Sequence, residues 1–194
     1  MQFPFEKEIV LEDAVALLRP ARAEDATALL DVAIRDKDLL QYSPKPIHTP
    51  ELLRAYMDRA VAMRKRHERY TFTVFDKRRN AFAGSTSFLN ISDPDDRLEI
   101  GATWYGKEFQ RTGLNRHCKY LLMDFAFGEL GAERVEFRTD ERNQASRRAI
   151  EGIGGRFEGM LRHHMLMHDG FRRNTVCYGM LRPEWEEVKW NLLH

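Results

Sequence analysis

Cysteine is nearly absent: only Cys118 and Cys177 occur in 194 residues. They stand singly, which excludes a disulfide framework and the paired spacings of a structural zinc site, so both are expected to be reduced thiols. Charge of either sign is also lacking in excess, with 31 Lys+Arg against 30 Asp+Glu. No general electrostatic pull toward nucleic acid or anionic lipid is expected, and any anion must be bound locally. No apolar run approaches the roughly 18 residues of a membrane span, and the start, MQFPFEKEIV, lacks a basic region followed by an apolar one. A cytoplasmic protein is expected, with no membrane and no nucleic-acid partner. Repeats, low-complexity tracts and linker-like stretches are missing too, so residues 1 to 194 read as a single domain.

What is present is a regular alternation of patterns. Residues 14 to 19 read as a short buried strand ending at Pro20, and Ala26, Leu29, Leu30 and Ala33 recur at helical spacing. Thr49 and Pro50 form a start signal for a second helix, striped by Leu53, Met57, Ala60 and Val61. Strands are expected at 70 to 76, 81 to 90 and 97 to 105. In the last of these, Leu98, Ile100, Ala102 and Trp104 share one face, with Glu99, Gly101, Thr103 and Tyr105 on the other. A helix striped by Leu114, Cys118, Leu121, Leu122 and Phe125 follows, then a strand at 134 to 139. Strand, helix, strand in this order is a βαβ unit, which requires the two strands to be parallel. Asn143 opens a helix that Gly154 and Gly155 stop. A hairpin turning at His168-Asp169-Gly170 comes next, and Pro183 opens a last helix bearing Trp185, Val188, Trp190 and Leu192.

Between the strand at 97 to 105 and the helix after it lies EFQRTGLNRH, 108 to 117, with almost no loop. A helix start exposes about four unpaired backbone N–H groups and a partial positive charge, which together make an anion site. Gly113 permits close approach, and Arg111 and Arg116 add charge; the plainer reading is a glycine that eases a turn. GxxxxGK[ST] is absent, and the spacing from Gly106 to Gly113 does not make GxGxxG. A second block, RNQASRRAIEGIGG at 142 to 155, places Ser146, Ala149, Ile150 and Ile153 on one helical seam. Ser146 there either bonds back to a helix carbonyl or aims its hydroxyl at a ligand, and Asn143 is either an N-cap or a ligand contact.

These two blocks, in this succession of elements, resemble the GCN5-related N-acetyltransferases (GNAT), in the branch of the RimJ/RimL-type ribosomal-protein N-terminal acetyltransferases. The likeness runs from Leu18-Arg19-Pro20 to Leu181-Arg182-Pro183-Glu184-Trp185. The family's motif Gln/Arg-x-x-Gly-x-Gly/Ala is matched by Gln110-Arg111-Thr112-Gly113-Leu114-Asn115, with Asn115 where a small residue usually stands. Asn143-x-x-Ser146 with the glycines after it looks like the family's second motif.

The resemblance implies an α/β fold with a mixed sheet: one layer of about seven mostly antiparallel strands with a splayed parallel pair, and helices on both faces. It also implies acetyl-CoA as cosubstrate and no metal. Its pantetheine amides would pair with the backbone of Thr103, Trp104 and Tyr105, and its pyrophosphate would rest on Arg111, Thr112, Gly113, Leu114 and Asn115. A backbone N–H near Trp104 or Tyr105 would hold the oxyanion. Many relatives carry a tyrosine for the departing thiolate where this sequence has Ile150, which shifts that role to Ser146. Glu99 is the candidate general base, or else a solvent-facing strand carboxylate. The acceptor implied is an amine: a protein or peptide N-terminal α-amino group first, with a reference pKa near 8 against about 10.4 for lysine, and otherwise a small-molecule amine. A non-catalytic acyl-CoA-binding module is the remaining alternative.

Three other features invite interpretation. His163, His164 and His168 are spaced against a shared metal, since strand neighbours point to opposite faces and residues four apart lie roughly 13 Å away. RKRHER, 64 to 69, reads as a solvated helix end. Trp185 and Trp190 either cover the core or support a homodimer.

Overall fold

The computed structural model describes residues 1–192. Eight strands form one sheet in the order β1-β2-β3-β4-β5-β6-β8-β7. They are β1 Leu11–Glu12, β2 Ala16–Pro20, β3 Arg69–Asp76, β4 Ala81–Ser92, β5 Arg97–Tyr105, β6 Arg134–Asp140, β7 Arg156–Leu166 and β8 Arg172–Leu181. Every adjacent pair is antiparallel except β5 and β6, the two arms of the expected βαβ unit.

The helices fall into two packing groups. Helices α1 Asp25–Ala28, α2 Leu30–Ile34 and α3 Pro50–Lys65 bury Leu29, Ala33, Leu53 and Met57 in one cluster with Trp104. Helices α4 Leu114–Asp124, α5 Gln144–Glu151 and α6 Arg182–Val188 contribute Leu114, Leu122, Ile150 and Trp185 to a larger cluster with Phe72, Phe88, Leu98 and Phe137. The single helix expected near residue 26 is two short ones, because Leu29 closes the first with a near-zero ψ of −2° while keeping its side chain in the core. Helix α3 begins as its cap signal requires, with Thr49 Oγ1 accepting from Leu52 N at 3.3 Å and Pro50 in the first turn.

The face assignment along β5 needs correction. Ser85 pairs with Trp104 and Ser87 with Gly101, so Thr86 alone opposes both Ala102 and Thr103, a β-bulge. Ala102 takes a left-handed φ of 47°, uncommon for a residue with a Cβ. The extra residue shifts the side-chain alternation by one. Leu98 and Ile100 therefore share their cluster with Tyr105, while Trp104 turns to the other side, among α1 to α3. At the same place β4 comes so close that a Cβ at Gly84 would collide with the Trp104 carbonyl.

Buried polar anchors tie this frame together. Asp25 accepts from Arg19 Nη1 at 2.9 Å, Arg22 N at 2.9 Å and Thr73 Oγ1 at 2.6 Å, joining β2, α1 and β3. Burial alone would raise its pKa, but the hydrogen bonds from Arg19, Thr73 and Arg22 outweigh it and hold the carboxyl below the usual aspartate value. RKRHER is not merely solvated. Arg64 donates to the carbonyls of Phe5 and Lys7, and His67 stacks on Phe5 with ring centres 4.7 Å apart, fastening the N-terminal segment.

Asp25→Ala is expected to cost about 3 kcal/mol by denaturant unfolding, because it strands a partly buried guanidinium and two further donors. Since Asp25 has a depressed folded pKa, its contribution is present above the ordinary aspartate value and fades as pH falls through the folded one. The gap between wild type and Asp25→Asn should therefore narrow on acidification.

Candidate active site

Strands β5 and β6 share three ladder positions, Arg97 with Arg134, Leu98 with Val135 and Glu99 with Glu136. Beyond them β5 stays with β4 as far as Tyr105, and β6 stays with β8 as far as Asp140. The two strands part, and a gap opens between residues 100–105 and 137–140. The β5 backbone groups that face the gap have no β6 partners to bond.

The turn after β5 ends at this gap. Gln110 Nε2 donates to the Tyr105 carbonyl at 3.0 Å and Thr112 Oγ1 to the Phe109 carbonyl at 2.8 Å, which folds the chain back into α4. Arg111 and Gly113 adopt positive φ values of 59° and 88°. Among the described residues, the backbone N–H groups of Arg111, Thr112, Gly113 and Asn115 donate to no protein acceptor, and that of Leu114 reaches only Thr112 Oγ1 at 3.4 Å. Nothing lies within 4 Å of where a Gly113 Cβ would stand. Open donors converging on open space fit a diphosphate, with no cationic side chain required. Leu114 itself is fully in the core, so only its backbone is available.

The other predicted residues fall as follows. Asn143 is an N-cap: its Oδ1 accepts from Ser146 N at 3.0 Å. Ser146, in the first turn of α5, is half-buried rather than sealed in the seam, and the buried positions of that helix and its stop are Ile150 and Ile153. Among the described residues its hydroxyl makes no back-bond to a helix carbonyl. Thr103 shares a 2.7 Å hydrogen bond with Thr86 across the bulge. Among the described residues, the buried Trp104 indole N–H and Tyr105 hydroxyl have no hydrogen-bond partner.

Glu99 is not the solvent-facing carboxylate that one reading allowed. It is 5% exposed, lies over Gly101, accepts from Asn90 Nδ2 at 2.7 Å and is 3.3 Å from Arg138 Nε. Burial pushes its pKa above the ordinary glutamate value, against the pull of Asn90 and Arg138. Such a carboxyl is poised to exchange protons closer to neutrality.

Three cations near the gap were missed from the sequence. Arg138 on β6 pairs with Glu99. Arg173 on β8 is buried, and donates to Thr175 Oγ1 at 3.1 Å and the Tyr42 carbonyl at 3.2 Å. Lys119 on α4 donates to Thr103 Oγ1 at 3.1 Å. The first two sit at alternating strand positions that nothing in one sequence marks as special. The last was legible: Lys119 is followed by Leu122 at i+3 and Met123 at i+4, and the buried face is Leu114, Cys118, Lys119, Leu122 and Met123, whereas Leu121 is only half-buried at its margin.

The histidines do not converge. His164 Nδ1 meets Thr175 Oγ1 at 3.1 Å, and His163 and His168 are exposed. His168 lines a hollow with Lys37, Gln41 and His48 from the loop before α3. Among the described residues, no group of three or more His, Cys, Asp or Glu side chains is placed to hold a metal ion. No helix among them is long and apolar enough to cross a membrane.

A family model described as "Acetyltransferase (GNAT) domain" matches residues 16–156, from β2 to the start of β7. The chain belongs to this family. A Bacillus subtilis (strain 168) relative named "Putative ribosomal N-acetyltransferase YdaF" is 32% identical over 109 residues, which span 56% of this chain and 58% of that protein. A GCN5-related N-acetyltransferase from Brucella melitensis superposes with a TM-score of 0.90 at 26% identity, over 98% of this chain and 86% of that one. A "putative acetyltransferase" from T. thermophilus gives 0.87 at 30% identity, covering 100% and 97%. The GNAT resemblance of the motifs is thus upheld, and the YdaF relative supports its RimJ/RimL-type branch.

Because Glu99 has a raised folded pKa, whatever it contributes to stability is present below the unfolded value of about 4.3 and is lost as pH rises through the folded value. Thermal melts of wild type and Glu99→Gln across that range should therefore shift progressively in favour of the glutamine variant as pH rises. An unchanging difference would contradict the buried, raised carboxyl.

Proposed function

We propose that this chain is an acetyl-CoA-dependent N-acetyltransferase whose acceptor is a protein or peptide N-terminal α-amino group. The observation that carries the reading is the row of open backbone N–H groups from Arg111 to Asn115, set at the mouth of the gap between β5 and β6. These donors would hold the coenzyme's pyrophosphate, and the β5 edge from Thr103 to Tyr105, which has no β6 partner, would pair with the pantetheine amides. One N–H of that edge, near Trp104 or Tyr105, would hold the thioester carbonyl and the oxyanion formed on attack. Aligned dipoles in a water-poor gap are the largest contribution such a site can make.

Glu99 would take a proton from the acceptor amine through water. Its raised pKa suits an amine that already has a sizeable neutral fraction near pH 8. The Ser146 hydroxyl, half-buried at the start of α5 and bound to no helix carbonyl, would hydrogen-bond the departing sulfur. Gln110 and Asn143 would serve as positioning residues, through Tyr105 and through the α5 cap. The α-amino acceptor is favoured by the ribosomal N-acetyltransferase name of the YdaF relative.

The test is release of free thiol from acetyl-CoA with a panel of N-terminal peptides and small-molecule amines. Turnover with peptides is expected. Turnover with small amines alone would move the acceptor class, and tight coenzyme A binding with no turnover would make the chain a binding module. Gly113→Val should raise the Kd for coenzyme A about tenfold or more by calorimetry, since the added side chain enters the proposed diphosphate space and φ of 88° disfavours it. Unchanged affinity would overturn the phosphate assignment.

A further inference from the structure

Helix α4 carries a lysine on its core-facing side. Lys119 is 6% exposed and shares that face with Cys118, Leu122 and Met123. Its Nζ donates to Thr103 Oγ1 at 3.1 Å and lies 5.8 Å from the centre of the Phe137 ring. Thr103 belongs to β5 and Phe137 to β6, so the ammonium sits against both walls of the gap from the α4 side.

This charge has no close counterpart. Among the described residues no carboxylate comes within ion-pair distance of Lys119. Glu99, the acid that acts on it from β5, is committed to Asn90 and Arg138. Cys118, beside it on α4, is a neutral thiol, pushed by burial up to about 12. Tyr105, also on β5, is a phenol whose burial keeps it protonated. From β6 comes the Phe137 ring. Among the described residues its one hydrogen-bond partner, Thr103 Oγ1, is already shared with Thr86. Buried ammonium groups are ordinarily paired, and leaving one unpaired costs several kcal/mol. Unpaired buried polar groups in a cleft mark places where a ligand supplies the missing charge.

We propose that Lys119 is a catalytic residue that donates a proton to the sulfur of coenzyme A as it leaves. The inference rests on the acetyl-transfer reading above. The acceptor nitrogen's lone pair forms the C–N bond to the thioester carbonyl carbon, and the C–S bond breaks with its electron pair going to sulfur. An Nζ–H proton passes to that sulfur, giving the free thiol and a neutral lysine. The proton that Glu99 takes from the acceptor nitrogen through water passes on through water to recharge Lys119, so the protein ends each turnover as it began.

The energetics match. Burial, partly offset by the Glu99 carboxylate, lowers Lys119 to about 8, close to the roughly 8.5 of a thiol. Proton transfer between such groups is nearly balanced, the condition under which an acid catalyst works best near neutral pH. Ser146 would then orient the sulfur while Lys119 supplies the proton.

The experiment uses the full chain and its Lys119→Met and Lys119→Arg variants. Lys119→Met should lower kcat about 100-fold with KM for acetyl-CoA nearly unchanged. It should also melt at a higher temperature than wild type, because methionine replaces an unpaired buried charge with apolar volume. Titration of enzyme-bound coenzyme A, followed by thiolate ultraviolet absorption, should show a higher thiol pKa in Lys119→Met than in wild type. Lys119→Arg keeps the charge but not a releasable proton, so it should hold the thiol pKa down while kcat stays low. A Lys119→Met variant within about threefold of wild-type kcat would overturn the assignment, as would lost activity accompanied by a lowered melting temperature and weakened coenzyme binding. Wild type that releases no thiol with any acceptor would instead remove the acetyl-transfer reading on which this one stands.

Discussion

Two parallel strands that share three ladder positions and then part must find other partners for their backbone, or leave it open. In this chain the parting of β5 from β6 after Glu99 and Glu136 is the constraint on which the rest depends. It is sustained from both flanks, since β4 continues to hold β5 through the bulge at Ala102, and β8 continues to hold β6 to its end. From the α4 side Lys119 sits against both walls, 3.1 Å from Thr103 Oγ1 and 5.8 Å from the centre of the Phe137 ring. The result is a slot whose β5 edge has no β6 partner, set in a sheet whose neighbouring pairs keep longer ladders.

The bulge has a second effect. By shifting the alternation of β5 by one residue, it places Trp104 among helices α1 to α3 and Tyr105 among the strands and α4. The same residues drawn as a regular strand would send Trp104 to the α4 side and expose a different edge to the gap. One left-handed residue therefore determines which side chains line each face of the site, and Gly84 across the ladder allows the backbone to close around it.

Most of the architecture was legible because its signals are local and agree with one another. The Thr49-Pro50 start, the Asn143 cap and the strand-helix-strand order each specify an element without reference to distant residues. The 110 to 115 motif likewise specifies open donors, since a helix start always has them. What stayed hidden depends on partners far apart in sequence. The φ of Ala102 follows from its pairing with β4, and the burial of Glu99 follows from Asn90 and Arg138 closing over it. Leu29 breaks a helix that its own periodicity favours, because the core takes the side chain and the turn takes the backbone. Charged residues were the hardest to place: strand arginines such as Arg138 and Arg173 look alike until the fold shows which is covered.

The neighbour of Lys119 bears on how this protein tolerates its own chemistry. Were coenzyme A the product thiol, its oxidised disulfide would exchange with a reactive cysteine thiolate nearby, releasing one coenzyme thiolate and leaving a mixed disulfide on the protein. Cys118 is fully buried, and its pKa of about 12 leaves almost no thiolate at physiological pH. Its sulfur therefore behaves as filling material, and oxidised coenzyme has no foothold there. Cys177, half-buried on β8, is the thiol that alkylating reagents or oxidised glutathione would meet first.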